Sequence, residues 1–313
     1  MHVCFDIRKV DFQAYDRPVV TLGSFDGVHL GHQAIINRLM GKSREREKIG
    51  VVVTYEPHPQ SVVAPQNAPG LLTTMEERLR LLEGLGVEET VVMSFDEELR
   101  HYSADEFVER ILVEKLNVGS LVVGEDHAFG KDRSGRTDLL ERAALTYGFD
   151  LEVVPAQSSG GTRISSTRIR KEVVSGDFAK VREMLGHPYP LSGTVTKGKG
   201  RGRNLGYPTL NLKIPPGKLL PQDGVYGVRV FLEEREYPGM LYVGPRPTFR
   251  EEARSVEVHV LGREIEVTHL KVDLLVERWV RKPKRFPDPE HLRDQLKSDE
   301  KRIKEMFGMS RSN

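Results

Sequence analysis

Two histidines three residues apart, His29 and His32 in Asp26-Gly27-Val28-His29-Leu30-Gly31-His32, have the types and spacing to do chemistry. On the first turn of a helix, residues three apart share a face. Two imidazoles on that face can donate hydrogen bonds to a triphosphate, and these strengthen as charge moves onto a leaving pyrophosphate. The apolar run Val19–Phe25, which contains Gly23, reads as a strand entering this turn. Strand, glycine turn and helix start together make an anion site, because backbone N–H groups point outward and the helix dipole favours negative charge. Gly31 leaves room for a ligand to approach the backbone. A Walker loop would need Lys-Ser/Thr after its last glycine, and a zinc helix usually sets its histidines four apart, so neither pattern fits. An isolated pair like this is often two surface histidines; Gly-Ser-Phe-Asp-Gly at a strand end favours the anion site.

A second set of residues follows. Tyr55-Glu56-Pro57-His58-Pro59 lies after another strand-like run, at the end where open α/β sheets place ligands. Ser165, Ser166 and Thr167 stand where a helix should begin, so their hydroxyls can cap it or bind phosphate. Arg163 and Arg168 add fixed charge suited to phosphate. Further on, Gly193–Arg203 is rich in glycine and base, and reads equally as an exposed loop or a phosphate flap. After it, Thr209 and Asn211 are two apart on an extended segment and project to one face. Both are neutral oxygen donors, suited to Mg²⁺ already partly neutralised by nucleotide phosphates. Glu257, by spacing alone, is an acid on the exposed face of a strand.

The elements that must position these groups fall into two textures. Strand-like runs at Val19–Phe25, Gly50–Tyr55, Thr90–Ser94, Leu121–Gly124 and Leu151–Val154 alternate with helical segments. Those segments are His32–Met40, Met75–Leu85, Ala104–Leu116 and Thr137–Tyr147, with a closing pair at Ser166–Ser175 and Asp177–Leu185. Alternation of this kind predicts a doubly wound parallel sheet. Gly186-His187-Pro188-Tyr189-Pro190 reads as a linker. Beyond it, strands at Leu191–Thr196, Gly224–Leu232, Gly239–Val243, Ser255–Leu261 and Glu264–Leu275 predict an antiparallel barrel or sandwich. Asp288 as N-cap and Pro289 as first helical residue open a C-terminal helix with Leu292, Leu296, Ile303 and Phe307 on its buried stripe. The expected domains are residues 1–185 and 186–308.

Bulk composition narrows the class. In 313 residues, 47 Lys+Arg against 46 Asp+Glu leave a net charge of +1, which gives no general attraction to nucleic acid or membrane. The run Arg281–Arg285 is locally basic and reads as a solvated turn. A lone cysteine, Cys4, excludes an internal disulfide framework and fits a reducing compartment. Charges at Asp6, Arg8, Lys9 and Asp11 interrupt any signal-peptide core, and no apolar stretch is long enough to span a membrane. The expectation is a cytoplasmic protein with small-molecule substrates and no obligate protein partner.

Gly-Ser-Phe-Asp-Gly-Val-His-Leu-Gly-His resembles the H-x-G-H nucleotidyltransferases, and within them the bacterial FAD synthetases, which are bifunctional riboflavin kinase/FMN adenylyltransferases. Tyr55–Pro59, Val123–Gly130 and Arg163–Arg170 are similar to further motifs of that family in order. Leu205–Leu212, with Pro208-Thr209-Leu210-Asn211, is similar to its riboflavin kinase domain, as are Asp223–Tyr226, Arg246–Phe249 and Val256–His259. The resemblance implies phosphorylation of riboflavin to FMN and adenylylation of FMN to FAD, with ATP as co-substrate and Mg²⁺ as cofactor. It implies that Gly23, Phe25, Asp26, Arg163, Ser166 and Thr167 hold ATP, with His29 and His32 catalytic. Pro57, His58, Pro59, Asp126 and Phe129 are then the flavin side. In the kinase it assigns Gly198, Gly200 and Gly206 to ATP, Thr209 and Asn211 to the metal, and Glu257 as general base. His127 stands where the family usually has Phe. The family's longer acidic loop is replaced by Leu261-Gly262-Arg263-Glu264, passing almost directly into strand. A chain that kept the fold but lost the kinase step is the alternative, as a lone adenylyltransferase or a flavin-binding regulator.

Overall fold

The computed structural model describes residues 1–7, 10, 12–198, 201–232, 235–246, 251–265 and 270–309. The chain divides into two compact units, Met1–Pro69 with Met75–Ser166, and Gly70–Thr74 with Thr167–Asn313.

The first unit carries β1 (His2–Cys4), β2 (Val19–Leu22), α1 (Leu30–Arg46), β3 (Gly50–Glu56), α2 (Pro59–Val63) and α3 (Met75–Gly84). It continues with β4 (Glu89–Ser94), α4 (Glu97–His101), α5 (Ala104–Phe107), β5 (Ser120–Gly124), α6 (Thr137–Tyr147) and β6 (Asp150–Val154). A two-stranded ribbon, β7 (Ser158–Ser159) and β8 (Thr162–Arg163), closes it. The sheet order is β1-β4-β3-β2-β5-β6, with every pair parallel. Successive strand residues point to opposite faces. Accordingly Val20, Leu22, Val51 and Val53 join one core with Phe107, Leu112 and Leu140, while Val19, Val52 and Val122 join another with Ile36, Leu39 and Leu82. Burial on both faces explains the continuous apolar runs.

Several expected boundaries shift for physical reasons. The strand read as Val19–Phe25 stops at Leu22, because Phe25 takes a left-handed φ of 44°. The helix read as His32–Met40 runs Leu30–Arg46, with His29 as its N-cap. Ala104–Leu116 begins as α5, capped by reciprocal Ser103–Glu106 bonds, and continues through Val108–Lys115 in wider π-type turns. The three-residue β1 was not expected; it is too short for alternation to register, and is fixed by parallel pairing with Glu89–Val91.

In the second unit, α7 (Ser166–Ser175) and α8 (Phe178–Leu185) precede β9 (Tyr189–Thr196), α9 (Arg201–Asn204), β10 (Leu210–Lys213) and β11 (Gly224–Leu232). Then come β12 (Arg235–Arg246), β13 (Glu251–Val260), β14 (Lys271–Arg281) and α10 (Pro289–Met306). The strands close an antiparallel barrel in the order β10-β13-β12-β11-β14-β9. Phe178 of α8 packs on Tyr189 and Tyr226, with ring centroids 5.9 and 5.5 Å apart, and Arg182 pairs with Glu277 of β14 at 2.6 Å. Gly70–Thr74 adds to the same unit: Leu71 N–H donates to Gly217 O at 2.8 Å, Leu219 N–H to Leu71 O at 2.9 Å, and Lys218 Nζ to Leu72 O at 2.6 Å.

Two expectations change here. Tyr189 and Pro190, read as linker, lie in β9; Pro190 pairs only with Leu275 of β14, before the pairing to β10 begins, so its missing N–H disturbs one ladder at most. The strand read as Glu264–Leu275 begins at Lys271, because Gly262, at φ 74°, turns the chain after β13. Residues 261–265 therefore form a turn and an irregular segment where direct passage into strand was expected, and 266–269 lie outside the described residues.

Asp288 caps α10 by accepting from His291 N–H at 2.9 Å, with Pro289 in the first turn, as the sequence implied. Ile303 is fully buried against Val225, Met240, Tyr207 and Leu261. Asp299, with no exposed surface, accepts from Arg281 Nε at 2.8 Å and Gln295 Nε2 at 2.9 Å. Asp299→Leu leaves the half-buried Arg281 without its counter-charge and is expected to destabilise the barrel unit by about 3 kcal/mol, measured by denaturant unfolding.

Candidate active sites

In an open α/β sheet, ligands bind at the carboxyl ends of strands where the strand order reverses. Here that point lies between β2 and β5, and β2 opens directly into the Gly23–His32 turn. Gly23 N–H donates to Val53 O at 3.0 Å, and the Thr54 hydroxyl donates to Ser24 O at 3.1 Å, so β3 holds the start of the turn. Phe25, Gly27 and Val28 all take left-handed backbone, at φ 44°, 85° and 41°. For a β-branched valine this conformation is strained, and such strain persists only where surroundings enforce it. Both Phe25 and Val28 are buried.

His29 caps α1: its Nδ1 accepts the His32 backbone N–H at 3.3 Å. In the neutral ring the proton must then sit on Nε2, making that atom a donor. The two imidazoles stack with centroids 3.6 Å apart and planes 14° from parallel. A Cβ on residue 31 would stand 3.2 Å from the His29 ring, so Gly31 makes room for that ring. Burial, then the neighbouring His29 and Arg78, hold His32 well below the usual imidazole range, so it is neutral at neutral pH. Its Nδ1 is buried with no hydrogen-bond partner.

Other expected residues gather nearby. Ser166 Oγ, at the end of the first unit, donates to Asp26 O at 3.2 Å. Arg163 pairs with Asp126 at 2.7 Å, bringing together one residue expected on the ATP side and one on the flavin side. His58 caps α2, accepting from Gln60 N–H at 3.2 Å, with Pro57 before it and Pro59 opening the helix. Phe129 is buried in the core, and Gly135 admits its ring, since a Cβ there would lie 2.6 Å away. His127 stacks on Phe129 at 5.6 Å, and burial pushes it down to about 4, so it presents a neutral aromatic ring. Asp26 has no exposed surface; its carboxylate faces the equally buried Arg78 guanidinium at 4.0 Å. The sequence reading missed Arg78, since an arginine on an amphipathic helix reads as a surface residue.

The second site lies in the barrel. β10 pairs with β13 so that Asn211 stands opposite Glu257. Thr209 Oγ1 donates to Glu257 Oε2 at 3.1 Å, and Ser255 Oγ lies 3.0 Å from Glu257 Oε1. Both carboxylate oxygens are thus oriented by hydroxyls, and Ser255 is a residue that the sequence reading did not single out. Gly198 lies close beneath the Asn211 amide, where a Cβ would stand 2.0 Å from Nδ2. Gly206, at φ 78°, turns the chain into Tyr207-Pro208 beside a cavity of about 510 Å³. Arg203, Arg263, Arg293 and Lys297 line it. Gly200 lies outside the described residues, and the position of Thr167 within α7 is given by its helix alone. The Thr209 hydroxyl and Asn211 amide fit Mg²⁺ in chemistry, as two hard, neutral oxygen donors that would share the ion with nucleotide phosphates.

A parallel α/β unit with a histidine pair at its switch point, in one chain with a closed barrel, defines a two-domain transferase. Residues 12–168 match the FAD synthetase family and residues 185–307 match riboflavin kinase. The chain is 35% identical to the bifunctional riboflavin kinase/FMN adenylyltransferase of Escherichia coli (strain K12), over 94% of each chain. It is 35% identical to that of Pseudomonas fluorescens over 90% of each, and 33% to that of Listeria monocytogenes over 92% of each. A crystal structure from Streptococcus pneumoniae, described as a macrolide-efflux protein, superposes with a TM-score of 0.82 at 31% identity, covering 91% of this chain and 93% of that one. No described helix of this chain is long and apolar enough to cross a membrane. The chain belongs to the bifunctional riboflavin kinase/FMN adenylyltransferase family.

Two outcomes follow from these geometries. Gly198→Ala drives a Cβ into the Asn211 amide and is expected to cut riboflavin phosphorylation at least tenfold (roughly, for a misplaced metal ligand) while FMN adenylylation persists, read by chromatography of products. The unfolded chain takes up a proton near 6.5 that folded His127 refuses until about 4, so stability is lost as pH falls through that window. Tm of the first unit should drop across it, and His127→Phe should lessen the drop.

Proposed function

We propose that the parallel-sheet unit joins FMN to the adenylyl group of ATP and that the barrel unit phosphorylates riboflavin, with the functional boundary near 185/186. The observation that carries this reading is the coexistence in one chain of the His29–His32 stack at the α1 N-terminus and the hydroxyl-held Glu257 beside Asn211.

In the first reaction an FMN phosphate oxygen attacks the α-phosphorus of ATP, the bond to the β-phosphate oxygen breaks, and pyrophosphate leaves. The α1 N-terminus and the Nε2–H of His29 supply donors that stabilise the charge growing on pyrophosphate. Neutral His32 keeps its ring stacked on His29 without the repulsion two imidazolium ions would suffer. Arg163, released from Asp126, is placed to meet phosphate, and Gly23, Phe25 and Asp26 shape the turn. Pro57, His58, Pro59, Asp126 and Phe129, with the neutral His127 ring, form the flavin side.

In the second reaction the riboflavin 5′-hydroxyl attacks the γ-phosphorus of ATP, its proton passes to Glu257, and ADP leaves. Two hydroxyls fix the Glu257 carboxylate in orientation, which general-base work requires. Thr209 and Asn211 would hold Mg²⁺, which when bound neutralises phosphate charge and orients the transferring group. Gly198, Gly200 and Gly206 are the glycines assigned to the ATP phosphates, and the cavity beside Tyr207 suits a nucleotide. Both reactions belong in the cytoplasm, where ATP is abundant.

The test is product analysis with riboflavin or FMN, ATP and Mg²⁺. Wild type should give FMN and then FAD. His29→Ala is expected to lower FAD formation by roughly a hundredfold or more and spare FMN formation; Asn211→Ala should do the reverse. Loss of both activities from either substitution would overturn the assignment of separate sites.

A further inference from the structure

Among the described residues of the first unit, Arg78 is the largest fully buried side chain, at 1% exposure. Burying an ionised group is costly unless it is paired and hydrogen-bonded. Arg78 meets part of that cost, its Nε being buried with no hydrogen-bond partner, through contacts at the ligand end of the sheet. One terminal nitrogen donates to Thr54 Oγ1 at 3.0 Å and to Tyr55 O at 3.3 Å, and the other faces Asp26 Oδ1 at 4.0 Å. Thr54 passes the connection on by donating to Ser24 O at 3.1 Å. The guanidinium therefore grips the last residues of β3, just before Glu56–Pro59, and both flanks of the Ser24–Asp26 turn. Asp26 in turn offers its backbone oxygen to Ser166.

A core that needed only filling would use an apolar side chain, since replacing a buried ion pair by well-packed hydrophobes is often neutral or stabilising. The planar fork does something an apolar residue cannot: it sets two loops from different strands at fixed separation. Arg78 also accounts in part for the low proton affinity of His32, together with burial and His29. The carboxylates facing Arg78 are Asp26 and Glu56.

We propose that Arg78 is a positioning residue for adenylyl transfer, locking the Ser24–Asp26 turn to the end of β3 so that His29 and His32 meet the reacting phosphates in register. It touches no substrate and acts through Asp26, Thr54 and the Tyr55 carbonyl. The proposal rests on the adenylyl-transfer reading of the His29–His32 site.

The test uses full-length Arg78→Lys and Arg78→Met, with kcat and KM for FAD formation normalised to folded protein and riboflavin phosphorylation measured in the same preparations. Misalignment of about 1 Å costs on the order of a hundredfold in rate. Arg78→Met is therefore expected to lose roughly that factor in kcat, with KM for ATP changed less than about threefold, the pattern of an interaction felt in the transition state. Arg78→Lys keeps the charge but not the fork, and should fall between Met and wild type. Riboflavin phosphorylation should stay within about twofold of wild type. Wild-type kcat for FAD formation in both folded variants would overturn the proposal, because a purely structural arginine would lower Tm and leave the folded enzyme's kcat unchanged. If Arg78→Met does not fold, Arg78→Lys decides: a reduced kcat at unchanged KM supports the proposal and a wild-type kcat overturns it. A wild-type enzyme that makes no FAD from FMN and ATP would refute the site reading itself, a result separate from any effect of Arg78.

Discussion

The reversal of strand order between β2 and β5 is the constraint on which the first unit depends. Neighbouring loops leave the sheet there in opposite directions, opening a crevice whose floor is strand ends. The chain leaving β2 has to change course within a few residues to begin α1, and it does so through left-handed backbone at Phe25, Gly27 and Val28. That conformation is held by burial of both apolar side chains and by hydrogen bonds from β3. Strain, burial and anion-binding geometry at this turn are one arrangement seen from three sides. The cap formed by His29 and the stacking of His32 follow from where the turn delivers the start of the helix.

The barrel solves a different problem. The proposed general base, Glu257, needs a fixed direction, and an antiparallel register supplies it. With Asn211 opposite Glu257, and Thr209 just before β10, a hydroxyl from one strand reaches a carboxylate on another. Ser255, two residues from Glu257 on the same strand and face, holds the second oxygen. Closure of the barrel links these strands to the rest, and α10, pinned by Asp299 to Arg281 of β14, packs Ile303 against Val225 of β11 and Met240 of β12.

Much of this was legible in the sequence. Alternating apolar runs gave the parallel sheet, and the Asp288-Pro289 start of α10 was readable from cap chemistry alone. His29 and His32 were legible as a pair from their spacing. His29 is, however, the N-cap of α1 and not a residue of its first turn, so cap geometry brings the rings together. What stayed hidden has a common cause: it depends on partners distant in sequence. Arg78 looks like any surface arginine until Asp26 and Thr54 are folded around it. Ser255 gains meaning only beside Glu257, and β1 exists only because β4 offers an edge. The loop after β13 was misjudged because apolar content was read as strand, whereas the left-handed Gly262 turns the chain first. Gly198 was expected at phosphate, and the structure shows it close to the Asn211 amide, with no room for a Cβ.

The chain passes between its two units at 69/70, at 74/75 and again at 166/167. Each unit is therefore interleaved in sequence with the other, although each has its own core. Gly70–Thr74, flanked on both sides by residues of the parallel-sheet unit, satisfies its backbone against Gly217–Leu219. A gene fragment ending at the proline-rich junction would carry that short segment away from its hydrogen-bond partners and strip the barrel of a piece of its surface. Exchange of whole halves between relatives is correspondingly restricted. Matched pairs of segments, one early and one late, must travel together, which favours inheritance of the two activities as a single gene.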